Sequence, residues 1–143
     1  MHDAKQAFKE IARVTKPGGK IVIADSYWNS LKIDGIPNED SEIVKKAYLG
    51  FIKNPSIAAN LKDLFLAEGF TEKDISQEIM KLEFHGLQEL ELVLWIKPSL
   101  ELGEKVGVIT ADEGLHVLQE IQATQESKIK TSFDLYIIKG IKP

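Results

Sequence analysis

The chain has 143 residues, 43% of them hydrophobic and 28% charged, with a formal net charge of −4. These values suit a single globular domain over residues 1–143, and the acidic balance argues against a phosphate-tracking surface, so no nucleic-acid partner is expected. Zero cysteines exclude disulfides, thiol nucleophiles and thiolate metal sites. No apolar run approaches the ~20 residues of a membrane span. The start Met-His-Asp-Ala-Lys has no secretory core, which makes a cytoplasmic protein the expectation.

The chain opens with a predicted helix. Asp3 can cap its first turn, Ala4, Ala7, Phe8, Ile11 and Ala12 recur at the spacing of one helical face, and Arg13 and Lys16 suit its C-terminal end. Pro17-Gly18 fits a type II turn whose third position needs positive φ. The run Ile21-Val22-Ile23-Ala24 reads as a short strand covered on both faces. Ser26 to Pro37 is expected to be irregular. Glu39 to Lys53 reads as a helix with Ile43, Val44, Ala47, Tyr48, Phe51 and Ile52 on its apolar side. Asn54 and Pro55 look like the N-cap and first residue of the next helix, buried through Ile57, Ala58, Leu61, Leu64 and Phe65. Gly69 supplies a left-handed cap, and Phe70 can fold back on it.

A strand is expected near the centre of Lys73–Phe84. Leu87 to Ile96 fits both a strand and a helix; its straight-chain composition favours a helix, broken at Pro98. Thr110-Ala-Asp-Glu113 is a capping box opening a helix on Leu115, Leu118 and Ile121, weakened by Gly114. Ser132 to Gly140 forms a closing strand.

The segment Glu10-Ile-Ala-Arg-Val-Thr-Lys-Pro-Gly-Gly19 closely resembles the "E-x-x-R-V-x-K-P-G-G" region of class I S-adenosylmethionine-dependent methyltransferases. Glu10, Arg13, Val14, Lys16, Pro17, Gly18 and Gly19 match, and the family's acidic residue at the strand end falls on Asp25. Asn54-Pro-Ser-Ile57 through Glu68-Gly-Phe70 resembles the helix before the family's sixth strand, with Glu68 in place of its alanine. Thr110-Ala-Asp-Glu113 resembles the late helix opening, and Tyr136 through Lys142-Pro143 resembles the end of the seventh strand. The resemblance implies an α/β fold: the C-terminal half of a Rossmann-like seven-stranded methyltransferase sheet. Its strands would be equivalent to the fifth, sixth and seventh, with flanking helices and the last strand antiparallel between the other two. It further implies methyl transfer from S-adenosylmethionine to a small organic acceptor. The glycine-rich cofactor loop and ribose-binding acid belong to the N-terminal half that the motif order leaves out. Cofactor binding by this chain alone is therefore not expected, and no cofactor-binding residue is assigned.

The implied partners are a complementary N-terminal half or a second copy, because the strand Ile21–Ala24 would otherwise leave an unpaired edge. A non-catalytic association module descended from such a domain is the alternative. Asp25, Tyr27 and Trp28 follow the predicted strand, where ligands of open α/β sheets bind, and together with Tyr48 they are the candidate substrate-lining residues. Lys16-Pro-Gly-Gly19 follows a helix and precedes a strand, the reverse of a phosphate-cradling loop. His2, His85 and His116 are far apart and read as surface or satisfied residues, without a metal-site pattern. Glu89 and Glu91 read as solvated helix positions. No catalytic acid or base is recognised, which is compatible with a sulfonium cofactor that brings its own reactive methyl.

Overall fold

The computed structural model describes residues 3–143, in which six α-helices and a three-stranded sheet fall into two compact units. In chain order the elements are α1 (Ala4–Val14), β1 (Lys20–Asp34), α2 (Asn38–Phe51), α3 (Leu61–Ala67), β2 (Ile75–His85), α4 (Gly86–Leu94), α5 (Ile96–Lys105), α6 (Ala111–Ala123) and β3 (Lys130–Ile141). The strand order is β1-β3-β2, so the last strand lies between the other two, as the resemblance implies. Its direction follows from the bonds at its ends. Gly18 N donates to Lys142 O at 2.8 Å and Lys142 N to Gly19 O at 2.9 Å, which sets the end of β3 beside the start of β1. Gly86 N donates to Ile129 O at 2.9 Å, which sets the start of β3 beside the end of β2. β3 is antiparallel to both.

The first unit holds residues up to Tyr27, Ser56–Met80 and Asp134–Pro143. Asp3 caps α1 by accepting from Gln6 N at 3.1 Å. Phe8 and Ala12 of α1 are buried with Leu61, Leu64 and Phe65 of α3, Ile21, Phe70 and Ile138. The rings of Phe8 and Phe65 sit 4.5 Å apart. Gly140 makes that cluster possible, because a Cβ there would come within 2.4 Å of the Phe65 ring. Lys142 Nζ donates to the carbonyls of Ala12 and Thr15 at 2.6 and 2.7 Å, satisfying orphan acceptors at the end of α1. Gly18 takes φ 78° in the expected turn, and Gly69 takes φ 87° while Phe70 N bonds back to Phe65 O.

The second unit holds Trp28–Pro55 and Lys81–Phe133. α2, α5 and α6 pack on one another over a core that includes Val44, Ala47, Leu90, Leu94, Ile96, Leu100 and Val117. The capping box at Thr110 forms as expected, with Glu113 N donating to Thr110 Oγ1 at 3.1 Å and Thr110 N to Glu113 Oε2 at 2.8 Å.

Several expectations are corrected. The strand does not stop at Ala24 or lie covered on both faces: β1 runs on through the expected irregular segment to Asp34, and Val22 is 61% exposed. β-Branched and aromatic residues continue past Asp25, and alternation returns with Leu31 and Ile33 buried around exposed Lys32. Asn54 and Pro55 do not open an α-helix. They lead into a turn and a 3₁₀ segment (Ile57–Asn60), and α3 begins at Leu61. Pro98 breaks nothing, because the chain has already turned at Trp95 and Pro98 sits in the first turn of α5, where its missing N–H costs no bond. Ile11 and Leu115 are exposed, the faces of α1 and α6 being set by Phe8 with Ala12 and by Val117 with Ile121.

Candidate functional site

Asp25, Tyr27 and Trp28 are not at the end of a strand. They lie in the interior of β1, because that strand continues nine residues beyond Asp25 to Asp34. Asp25 and Tyr27, two residues apart, share a face of the strand. Asp25 is half-buried and accepts from Ser26 N at 2.8 Å. Burial raises its carboxyl above the ordinary carboxylate value, and the Ser26 bond opposes that rise. Tyr27 meets Tyr136 edge to face with ring centroids 5.4 Å apart.

Trp28 and Tyr48 are brought together in the second unit. The indole lies 5.1 Å from the Tyr48 ring and 4.7 Å from that of Phe133, and Phe51 and Phe84 extend the cluster. Tyr48 is buried, and its hydroxyl donates to Leu94 O at 2.5 Å. Ser99 Oγ donates to the same carbonyl at 2.7 Å. Burial pushes the Tyr48 phenol up, with the Ser99 bond pulling the other way. A phenol so committed anchors the end of α4; it is not placed to take a proton from a ligand.

Three open cavities among the described residues lie elsewhere. In the first unit, one of about 580 Å³ is lined by Phe8, Ile57, Leu64, Asp63 and Glu68, and one of about 340 Å³ by Val22, Ser76, Glu78, Ile137 and Lys139. In the second, one of about 530 Å³ is lined by Ile43, Leu49, Val108, Lys45, Lys46 and Glu113. None of the four candidate residues lines these three. The Lys16–Gly19 turn is structural as expected: Gly18 N and Gly19 N are taken by the Lys142 and Lys16 carbonyls. Among the described residues no group of three or more His, Asp or Glu side chains could hold a metal ion. His2 lies outside the described residues. Glu89 is exposed but not merely solvated, since its carboxylate accepts from His85 N at the start of α4.

Two features went unrecognised in the sequence. Trp95, at the junction of α4 and α5, has φ 47° and is 70% exposed, a left-handed position that a bulky residue rarely takes. No local signal marks it. The second is a contact between Asp40 and His116, 76 positions apart in sequence, which spacing alone does not reveal.

No family model matches the chain, and no curated protein matches it. Among solved structures, the YcgJ protein of Bacillus subtilis superposes with a TM-score of 0.50 at 13% identity, over 98% of this chain and 58% of that one. A Haemonchus contortus phosphoethanolamine N-methyltransferase 2, in complex with phosphomonomethylethanolamine and S-adenosylhomocysteine, aligns at a TM-score of 0.39 and 16% identity, over 100% of this chain and 30% of that one. The chain thus spans little more than half of the first and under a third of the second. The likeness to the first is one of fold, and the α/β arrangement is compatible with a methyltransferase-like fold.

Proposed function

We propose that this chain supplies the C-terminal portion of an S-adenosylmethionine-dependent methyltransferase, in which β1, β2 and β3 stand for the family's fifth, sixth and seventh strands. The observation that carries the reading is the last strand inserted antiparallel between the first two, behind a helix, a Lys-Pro-Gly-Gly turn and a strand. In this reading a glycine-rich half, in the same polypeptide or another, holds the cofactor. The present residues face a small organic acceptor, in a cytoplasmic setting. The free edge of β1 is where that half, or a second copy, would add a strand. The sulfonium supplies the reactive methyl, so the protein's part is to align the acceptor and exclude water. Asp25 and Tyr27 are the polar groups proposed to face the acceptor, and Trp28 with Tyr48 the aromatic wall that holds α2 in place.

A second reading, the non-catalytic association module, is favoured by one observation: Trp28 and Tyr48 pack with Phe133 into an aromatic cluster. An Asp25→Asn variant, assayed with the cofactor half supplied, separates the two. It keeps the size of the side chain and an oxygen for Ser26 N while removing the charge. Acceptor KM should rise while affinity for S-adenosylmethionine holds. Unchanged kinetics would take Asp25 out of the acceptor site and favour the module.

A further inference from the structure

We infer that the open face of the sheet in the first unit is an interface between two copies of this chain, closed by Lys139 of each copy against Glu78 of the other. Alternation along the strands sorts the side chains onto two faces. Ile21 and Ile23 of β1, Ile75 of β2, and Tyr136 and Ile138 of β3 pack in one cluster with α1 and α3. Val22, Ser76, Glu78, Ile137 and Lys139 face the other way and line the open cavity of about 340 Å³. By the same two-residue repeat, Ala24, Met80 and Ile141 belong to this second face.

The solvated face of an antiparallel sheet ordinarily alternates into polar residues. This face does not. Val22, Ala24, Met80 and Ile141 are all exposed, while α1 and α3 both lie on the opposite side. Exposed apolar residues gathered on one face mark a contact site.

The charges name its occupant. Lys139 and Glu78 stand on neighbouring strands and share the cavity with Val22 and Ile137. Among the described residues neither makes an ion pair. A partner of one sign would cover the other charge and leave it unpaired, which is strongly destabilising. A second copy related by a two-fold axis presents both signs: where Lys139 of one copy meets Glu78 of the other, the reciprocal pair forms by symmetry. Two sheets packed this way stand about 10 Å apart, with the apolar residues interdigitating between them. The contact uses the face of the sheet, not the free edge of β1, and does not depend on the methyltransferase reading.

Size exclusion with light scattering, across a dilution series of the full chain, reads the association. The native chain should dimerise. Lys139→Glu and Glu78→Lys each set two like-charge contacts in the interface, and each should weaken the dimer at least about tenfold. The double variant Glu78→Lys with Lys139→Glu restores both pairs and should dimerise as tightly as the native chain. Mixing the two single variants should give a heterodimer tighter than either homodimer, because each supplies the sign the other lacks. That rescue requires both variants to be folded, so loss of fold cannot pass for loss of contact. A native chain that stays monomeric throughout, a dimer that both single variants leave intact, or a double variant as weak as the singles would overturn the proposal.

Discussion

Two glycines in the helices of the second unit should respond to alanine with opposite signs. In the interior of a helix, glycine costs about 1 kcal/mol relative to alanine, so Gly→Ala is stabilising wherever a methyl fits. At Gly114 of α6 an added Cβ would lie 3.7 Å from Ile109 Cδ1 and 3.9 Å from Leu100 Cβ, ordinary contact distances. Gly114→Ala should therefore gain about 1 kcal/mol, a rise in Tm of about 2–4 °C at this chain length. At Gly103 of α5 the same Cβ would lie 2.6 Å from Ala47 Cβ and 2.9 Å from Ala47 Cα. The second of these is backbone, so α2 and α5 must separate. Overpacking of this kind costs about 1–3 kcal/mol, against a helix gain of about 1 kcal/mol, leaving a net loss of up to about 2 kcal/mol. Urea unfolding with unchanged m-values reads both. A Gly103→Ala variant more stable than the native chain would show that α2 and α5 do not approach this closely. A neutral or destabilised Gly114→Ala would refute the placement of Gly114 in a roomy helix interior.

Tyr48→Phe should lose about 1 kcal/mol at neutral pH, since Ser99 still satisfies the Leu94 carbonyl after the phenol bond is gone. Burial raises the Tyr48 phenol, so the folded chain holds its proton more tightly than the unfolded one; that contribution is complete below about pH 10 and lost as pH rises. The alkaline loss of stability, followed by circular dichroism, should accordingly be shallower in Tyr48→Phe than in the native chain, and an equally steep loss would exclude Tyr48 as its source. Trp95→Gly should gain up to about 1 kcal/mol in urea unfolding by relieving a left-handed position at an exposed residue; a loss would mean that the indole makes stabilising contacts.

What could be read from the residues was mostly local. Asp3, the Pro17-Gly18 turn, Gly69 with Phe70 and the Thr110 capping box each act within a few positions, and each forms as its chemistry dictates. The limits of β1 were not legible, because pairing with β3 over its length overrides the turn formers Asp25, Ser26, Asn29 and Ser30. Pro98 reads as a breaker by composition, yet its consequence depends on where the preceding turn falls, and that is set by Trp95 and the hydroxyls of Tyr48 and Ser99 on the Leu94 carbonyl. Asp25, Tyr27 and Trp28 stand out in the sequence by their place after a strand, and Tyr48 by its place on the following helix. Once that strand extends to Asp34, the position no longer singles them out, and what remains for Trp28 and Tyr48 is their shared aromatic cluster. Asp40 and His116 meet only through the packing of α2 on α6.

In the function we propose, these residues serve the acceptor side of a methyltransferase whose cofactor site is built by another segment. Isothermal titration with S-adenosylmethionine, on this chain alone and on the chain joined to a glycine-rich methyltransferase half, puts this to the test. The chain alone should show no binding in the low-micromolar range, since its Gly18 and Gly19 amides are already bonded, and the joined form should bind clearly. A low-micromolar Kd for the chain alone, or no binding in either form, would overturn the proposal.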